Sequence, residues 1–253
     1  MKAEPVLVAL PGTLCPPAVF EPLAAALAGD LRVDPVSWLT WPGPWDIPAL
    51  AGRLADHIKA TWGGPVLVCG HSTGGAIALQ LASRYPATVN GLVLADTGAH
   101  MRGHGDVDAI LDRIRASWGE ELRAAVLDRS FAEPLPDADR ARFLAWAAEL
   151  DPQAVYDVLA SQRDLDLTGA LGSIGVPTVV VHGVHDRARP PEQGRELARS
   201  LPHAEFRLAG TGHTPVWEAP EMVAAAVRDV ATRAQVAGSP VDGAPTAALD
   251  EQV

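Results

Sequence analysis

The chain is poor in cysteine, in lysine and in aromatic residues, and no long hydrophobic run occurs in it. Two cysteines, Cys15 and Cys69, are too few for a disulfide framework, so the core has to hold the fold. Sparse cysteine fits a reduced compartment, and the expectation is a cytoplasmic protein. No stretch of about 18 uninterrupted apolar residues exists, which argues against a membrane-spanning helix. Met1 to Pro5 leads directly into a strand-like stretch, without the apolar segment of a secretory signal. Positive charge is short as well. Lys2 and Lys59 are the only lysines, and 20 basic residues face 31 acidic ones, for a net charge of −11. Such a surface repels polyanions, so neither nucleic acid nor an anionic membrane is an expected partner.

What is present is core material. With 253 residues, 48% of them hydrophobic and 20% charged, the chain can fold as one large domain or as a domain carrying an insertion. Val6–Leu10 is a continuous apolar run closed by Pro11 and Gly12, the pattern of a strand buried on both faces. Similar runs recur at residues 65–70, 92–96 and 176–183. Helical patterns lie between them: 47–61 behind Asp46 as N-cap with Pro48 in the first turn, and 73–85 up to Pro86. Alternating strands and helices predict an α/β fold with a parallel sheet and helices on both faces.

Residues 99–172 break the rhythm. They read as helices at about 106–117, 120–131, 137–149 and 152–162, the last announced by Asp151 and Pro152. A helical insertion between two parallel strands leaves the sheet at its carboxyl edge, where such sheets bind ligands. The division is therefore a core of residues 1–98 and 173–236, a helical cap of 99–172, and a disordered tail of 237–253. After the cap come a strand at 176–183, a helix at 191–201, a strand at 204–209 and a helix at 219–234.

Gly70-His71-Ser72-Thr73-Gly74 is a G-x-S-x-G pattern that follows a buried strand and opens a helix. So sharp a turn packs the chain so closely that the residues two before and two after the serine must be tiny, and Ser72 then projects from the sheet edge as a nucleophile. A serine hydroxyl needs a base to take its proton. His213 has the best setting of the eight histidines, in a Gly-rich loop after the last strand. His71 adjoins the nucleophile and is expected to line the wall. His100 and His104, at the cap entrance, are expected to be solvated. The base needs an orienting carboxylate. Asp186, past the penultimate strand, suits that role, with Asp96 at the end of the pre-cap strand as the competitor. His182, His185 and Asp186 superficially resemble metal ligands, but no fourth ligand has compatible spacing, so neither metal nor cofactor is expected.

With these motifs in order, the sequence resembles the α/β-hydrolases over residues 5–235, in particular the capped subgroup of small esterases, lactonases and C–C bond hydrolases. Ser72, Asp186 and His213 follow the chain order of that family, and Glu218 and Pro220 after the His213 loop match it too. The resemblance implies an oxyanion hole formed by the backbone N–H groups of Thr13 and Thr73. Two departures stand out. Pro11-Gly12 replaces the family's frequent His-Gly, and the leading antiparallel strands are missing, which leaves about six strands.

The implied reaction is hydrolysis of an ester, lactone or thioester of a small apolar substrate through an acyl-enzyme. The alternatives are a cofactor-free cyclisation or acyl transfer on a natural-product intermediate, C–C bond hydrolysis, and a receptor that retains the site. A monomer or homodimer is expected. Candidate pocket residues are Leu14, Cys15, His71, Trp118, Phe131, Phe143, Trp146, Tyr156 and Trp217. The loop holding Trp38, Trp41 and Trp45 is either a pocket rim or a packed turn.

Overall fold

The computed structural model describes residues 5–105 and 107–238. Six parallel strands form one sheet: β1 (Val6–Leu10), β2 (Arg32–Pro35), β3 (Val66–His71), β4 (Val89–Ala95), β5 (Thr178–Gly183) and β6 (Ala204–Ala209), in spatial order β2-β1-β3-β4-β5-β6. The two-residue period of a strand sorts the apolar runs onto opposite faces. Val6, Val8, Leu10, Val66, Val68, Leu92 and Leu94 join one core cluster. Leu7, Ala9, Leu67, Cys69, Val93 and Ala95 join the other.

Helices cover both faces. The helix α1 (Glu21–Ala26) follows β1, α2 (Ile47–Trp62) follows β2, and α3 (Thr73–Arg84) follows β3. Asp46 caps α2 by accepting from the Ala49 N–H, and the helix ends at Gly63 with φ +69°, a left-handed position that favours glycine. Sequence reasoning did not delimit α1 or β2. Each is short, and β2 is an edge strand of mixed polarity, so neither shows a clear period.

Between β4 and β5 lie α4 (Val107–Ala116), α5 (Glu120–Arg129), α6 (Asp137–Ala148) and α7 (Pro152–Asp164), with no strand among them. Asp151 caps α7 through the Gln153 N–H, as its sequence suggested. The chain then continues through α8 (Pro191–Ser200), α9 (Pro215–Glu218) and α10 (Pro220–Gly238). The helix expected at 219–234 is α10, which starts at Pro220 and runs on through Ala237 and Gly238, the first two residues of the expected tail; the short α9 before it was not foreseen. The rest of the expected disordered tail, 239–253, lies outside the described residues.

From β1 the chain moves to one side of the sheet to form β2, and then crosses to the other side for β3. The loops leaving β1 and β3 therefore diverge at their carboxyl ends. That switch point is where open α/β sheets form their ligand crevice.

Candidate active site

Ser72 sits between β3 and α3 with φ +53° and ψ −118°, a strained conformation for a residue with a side chain. The packing around it explains the glycines. A Cβ on Gly70 would lie 2.6 Å from the Gly74 carbonyl oxygen, and one on Gly74 would lie 2.1 Å from the Leu10 oxygen. The turn is held by the Ser72 N–H donating to the Ala95 carbonyl (2.9 Å) and by the Thr97 hydroxyl donating to the Ser72 carbonyl (2.8 Å).

His213 comes from the loop between β6 and α9. Its Nε2 lies 2.8 Å from Ser72 Oγ and its Nδ1 lies 2.7 Å from Asp186 Oδ2. Glu218 braces this loop: its Oε2 accepts from the Gly212 N–H at 3.1 Å and the Thr214 N–H at 3.4 Å. Its Oε1 accepts from the Ala132 N–H at 2.7 Å, joining the loop to the α5–α6 linker. The two oxygens of Asp186 have separate tasks. While Oδ2 faces His213, Oδ1 accepts from the N–H groups of Ala188 (2.7 Å) and Arg189 (3.0 Å). With Nδ1–H donating to Asp186, His213 Nε2 is left as an acceptor for the Ser72 proton.

Asp96, the competitor, is completely buried behind Asp186. Its Oδ1 accepts from the Gly183 N–H at 3.0 Å. Burial, reinforced by the neighbouring Asp186 charge, pushes its carboxyl well above the usual carboxylate range. Burial pushes Asp186 up too, but hydrogen bonds from His182, His213 and Asp96 outweigh it and hold this carboxyl below its usual range. The opposite shifts favour a proton on Asp96 over one on Asp186. Oδ2 of Asp96 has no hydrogen-bond partner among the described residues.

Asp96, Asp186 and His182 each offer an atom within 4.8 Å of the others, a grouping different from the one suggested by the sequence, since His185 is exposed and outside it. His182 Nε2 is 3.1 Å from the Arg189 carbonyl, 3.4 Å from Asp96 and 3.5 Å from Asp186. The buried Arg189 guanidinium stands near both acids; burial lowers its pKa only to about 10, and it stays charged.

Thr13 and Thr73 face each other across the switch point, and neither backbone N–H has an acceptor among the described residues. His71 braces this region. Burial, with nearby His213, lowers its pKa to about 3, so it is neutral. Its Nδ1 accepts from the Gly12 N–H (3.3 Å), which leaves Nε2–H to donate to the His213 carbonyl (2.7 Å). Trp38 adds a further tie, its indole N–H donating to the Pro11 carbonyl at 3.0 Å. The tryptophan loop is therefore a packed turn.

A cleft of about 700 Å³, counting its open mouth, lies over Ser72 and His213. Leu14, Cys15, His71 and Trp118 line it as expected. Burial pushes the Cys15 thiol up to about 12, so it is an inert wall group. The insertion adds an aliphatic wall of Ile110, Ile114, Leu122, Val126 and Leu159, with Arg129 and His104 also on the lining.

The other expected aromatics lie elsewhere. Phe143 is fully buried and meets Trp217 edge-on at 5.3 Å, while Trp146 packs on the core cluster of the opposite face. Tyr156 lies beneath Arg115, and Phe131 joins the core. Aromatic rings at helical spacing face the helix–helix seams here, and sequence spacing cannot separate a seam from a cleft wall. His104 lines the cleft instead of being solvated, and His100 is half-buried. Burial, with Arg189, His213 and Arg129 nearby, lowers His104 to about 3. Sequence reasoning missed Gln162, which reaches the cleft from α7 and carries no motif that would single it out.

The alpha/beta hydrolase family matches residues 7–226. Among curated proteins, the chain is 28% identical over 214 residues to a pimeloyl-[acyl-carrier protein] methyl ester esterase of Neisseria meningitidis, covering 77% of this chain and 81% of the relative. It is 31% identical over 210 residues to the lipase LipV of Mycobacterium tuberculosis, covering 74% and 77%. Among solved structures, the enol-lactonase of Burkholderia xenovorans superposes with a TM-score of 0.79 at 24% identity, covering 90% of this chain and 92% of that one. The chain belongs to the alpha/beta hydrolase family and is an enzyme of its esterase type.

Proposed function

We propose that this protein is a serine esterase acting on small esters, lactones or thioesters with an aliphatic acyl or alcohol portion. One observation carries the reading. An unbroken hydrogen-bond chain runs from Ser72 Oγ through His213 to Asp186, and its serine end opens at the floor of an apolar cleft.

In the proposed cycle, Ser72 Oγ attacks the substrate carbonyl while His213 Nε2 takes its proton. The Asp186 carboxylate holds the imidazole in the right tautomer and stabilises the imidazolium. The N–H groups of Thr13 and Thr73 receive the negative oxygen of the tetrahedral intermediate, a role filled by backbone amides. Collapse returns the proton from His213 to the departing oxygen or sulfur, which leaves as an alcohol or thiol. Water, activated by the same histidine, then cleaves the acyl-enzyme and restores Ser72. The aliphatic walls favour hydrocarbon over charge in the acyl portion. That fits a relative named for hydrolysing a methyl ester and another named as a lipase.

A fluorophosphonate probe and a panel of p-nitrophenyl esters of rising chain length test this. Wild-type protein is expected to label once and to turn over medium-chain esters, and Ser72→Ala is expected to do neither. Labelling or turnover that persists in Ser72→Ala overturns the reading.

A further inference from the structure

The two proposed oxyanion donors are backbone groups, yet their side chains are also linked. The Thr13 hydroxyl donates to Thr73 Oγ1 at 2.8 Å, and the Thr73 hydroxyl donates to Gln162 Oε1 at 2.8 Å. Each hydroxyl has one proton to give, so a carbonyl oxygen at the end fixes the direction of the whole chain. That oxygen belongs to α7, in the insertion, and not to the sheet. Gln162 and Thr73 are both nearly fully buried, so the bond between them is shielded from competing water. Next to it, Ser161 Oγ accepts from the Ile47 N–H at 2.9 Å, seating α7 on the start of α2.

We propose that Gln162 is a positioning residue that sets the oxyanion hole from the cap side. Its acceptor oxygen holds Thr73, and Thr73 holds Thr13, so the gap between the two N–H donors depends on where α7 sits. This deepens the esterase reading above and rests on it. The consequence is a coupling: the hole is fully formed only when α7 is seated, and displacing the helix leaves the serine in place but splays the donors. Removing one oxyanion donor outright costs about 10²–10³ in kcat in well-studied hydrolases. Loosening both through their side chains costs less, and tenfold to a hundredfold is the expected range, about 1.4–2.7 kcal/mol of transition-state stabilisation.

The test uses Gln162→Met, which keeps length and apolar bulk but removes the acceptor, together with Thr73→Val, Thr73→Ser and the double variant Gln162→Met/Thr73→Val. All are assayed on a short p-nitrophenyl ester. Gln162→Met and Thr73→Val are each expected to lower kcat by tenfold to a hundredfold with KM within about twofold. Thr73→Ser, which keeps the hydroxyl, is expected to restore wild-type kcat. The double variant is expected to be no worse than Thr73→Val alone, because both changes cut one chain.

Unchanged kcat in Thr73→Val, or a loss confined to KM and melting temperature, overturns the proposal and makes the chain mere packing. If Gln162→Met fails to fold, the Thr73 pair, which lies on the core, still decides the matter. Ser72→Ala run alongside separates the two readings. Turnover that depends on Ser72 but is indifferent to Thr73→Val removes the positioning role and leaves the esterase standing.

Discussion

Asn substitutions at the two aspartates behind His213 are expected to have opposite consequences. In Asp186→Asn, the N–H groups of Ala188 and Arg189 still require an acceptor and keep the amide oxygen where Oδ1 was. The NH2 group then points at His213 Nδ1. A donor there forces the proton onto Nε2, which can only donate towards Ser72, and the base is lost. The equivalent change in a well-studied serine protease lowers kcat by about 10⁴, and the same argument predicts about 5.5 kcal/mol here.

Burial favours the protonated form of Asp96, and asparagine keeps its shape and a carbonyl oxygen for the Gly183 N–H. Its kcat is expected to stay within about tenfold of wild type. Stability is expected to rise. An unfolded aspartate ionises near pH 3.9 whereas the folded one is raised, so folding takes up a proton, and stability is lost as pH climbs from about 3.9 towards the folded value. Each unit of that rise costs about 1.4 kcal/mol, and the amide removes the cost. Stopped-flow ester hydrolysis and calorimetry from pH 4 to 8 measure both effects. A loss of kcat in Asp96→Asn as large as that in Asp186→Asn would refute the division of roles.

Phe143→Ala is expected to cost about 3–5 kcal/mol by calorimetry, because the ring is fully buried against Trp217, while chain-length preference stays flat. Leu159→Ala or Trp118→Ala, at the cleft wall, is expected to shift kcat/KM towards bulkier esters. Gly74→Ala is expected to abolish activity and lower the melting temperature steeply, since its methyl would collide with the Leu10 carbonyl; near-normal activity would show that the turn can open. The depressed Asp186 pKa contributes stability that is present above about pH 3.9 and lost as pH falls towards the lower folded value. An acid melt in which Asp186→Asn loses less stability than wild type below pH 4 checks that sign.

The sheet was largely legible because β1, β3, β4 and β5 are buried on both faces and read as unbroken apolar runs. The edge strand β2 lacks that signal, since its residues answer to solvent on one side. Ser72, His213 and Asp186 were legible as candidates because each lies in a loop whose glycines or strand boundary mark it. Two things were not. The opposite pKa shifts of Asp96 and Asp186 depend on how closely β4 and β5 bring their ends together, a distance on which neither sequence segment bears. The aliphatic cleft wall was hidden because the period of an amphipathic helix shows that one face is apolar and not whether that face meets a helix or a cavity.

The helical insertion also divides the chemistry. Thr13, Ser72 and Thr73 all precede it, and Asp186 and His213 both follow it. Ser72 and His213 are 141 residues apart, and their halves of the sheet meet only where β4 pairs with β5, Leu92 beside Thr178 and Ala95 beside Val181. No contiguous fragment on one side of the insertion holds all of the proposed site residues. Recovered activity is therefore a late reporter of refolding, silent until this long-range strand pairing has closed. The same arrangement makes the linkers of the insertion natural points at which to cut the gene into two inactive pieces, whose reassociation would switch the enzyme on.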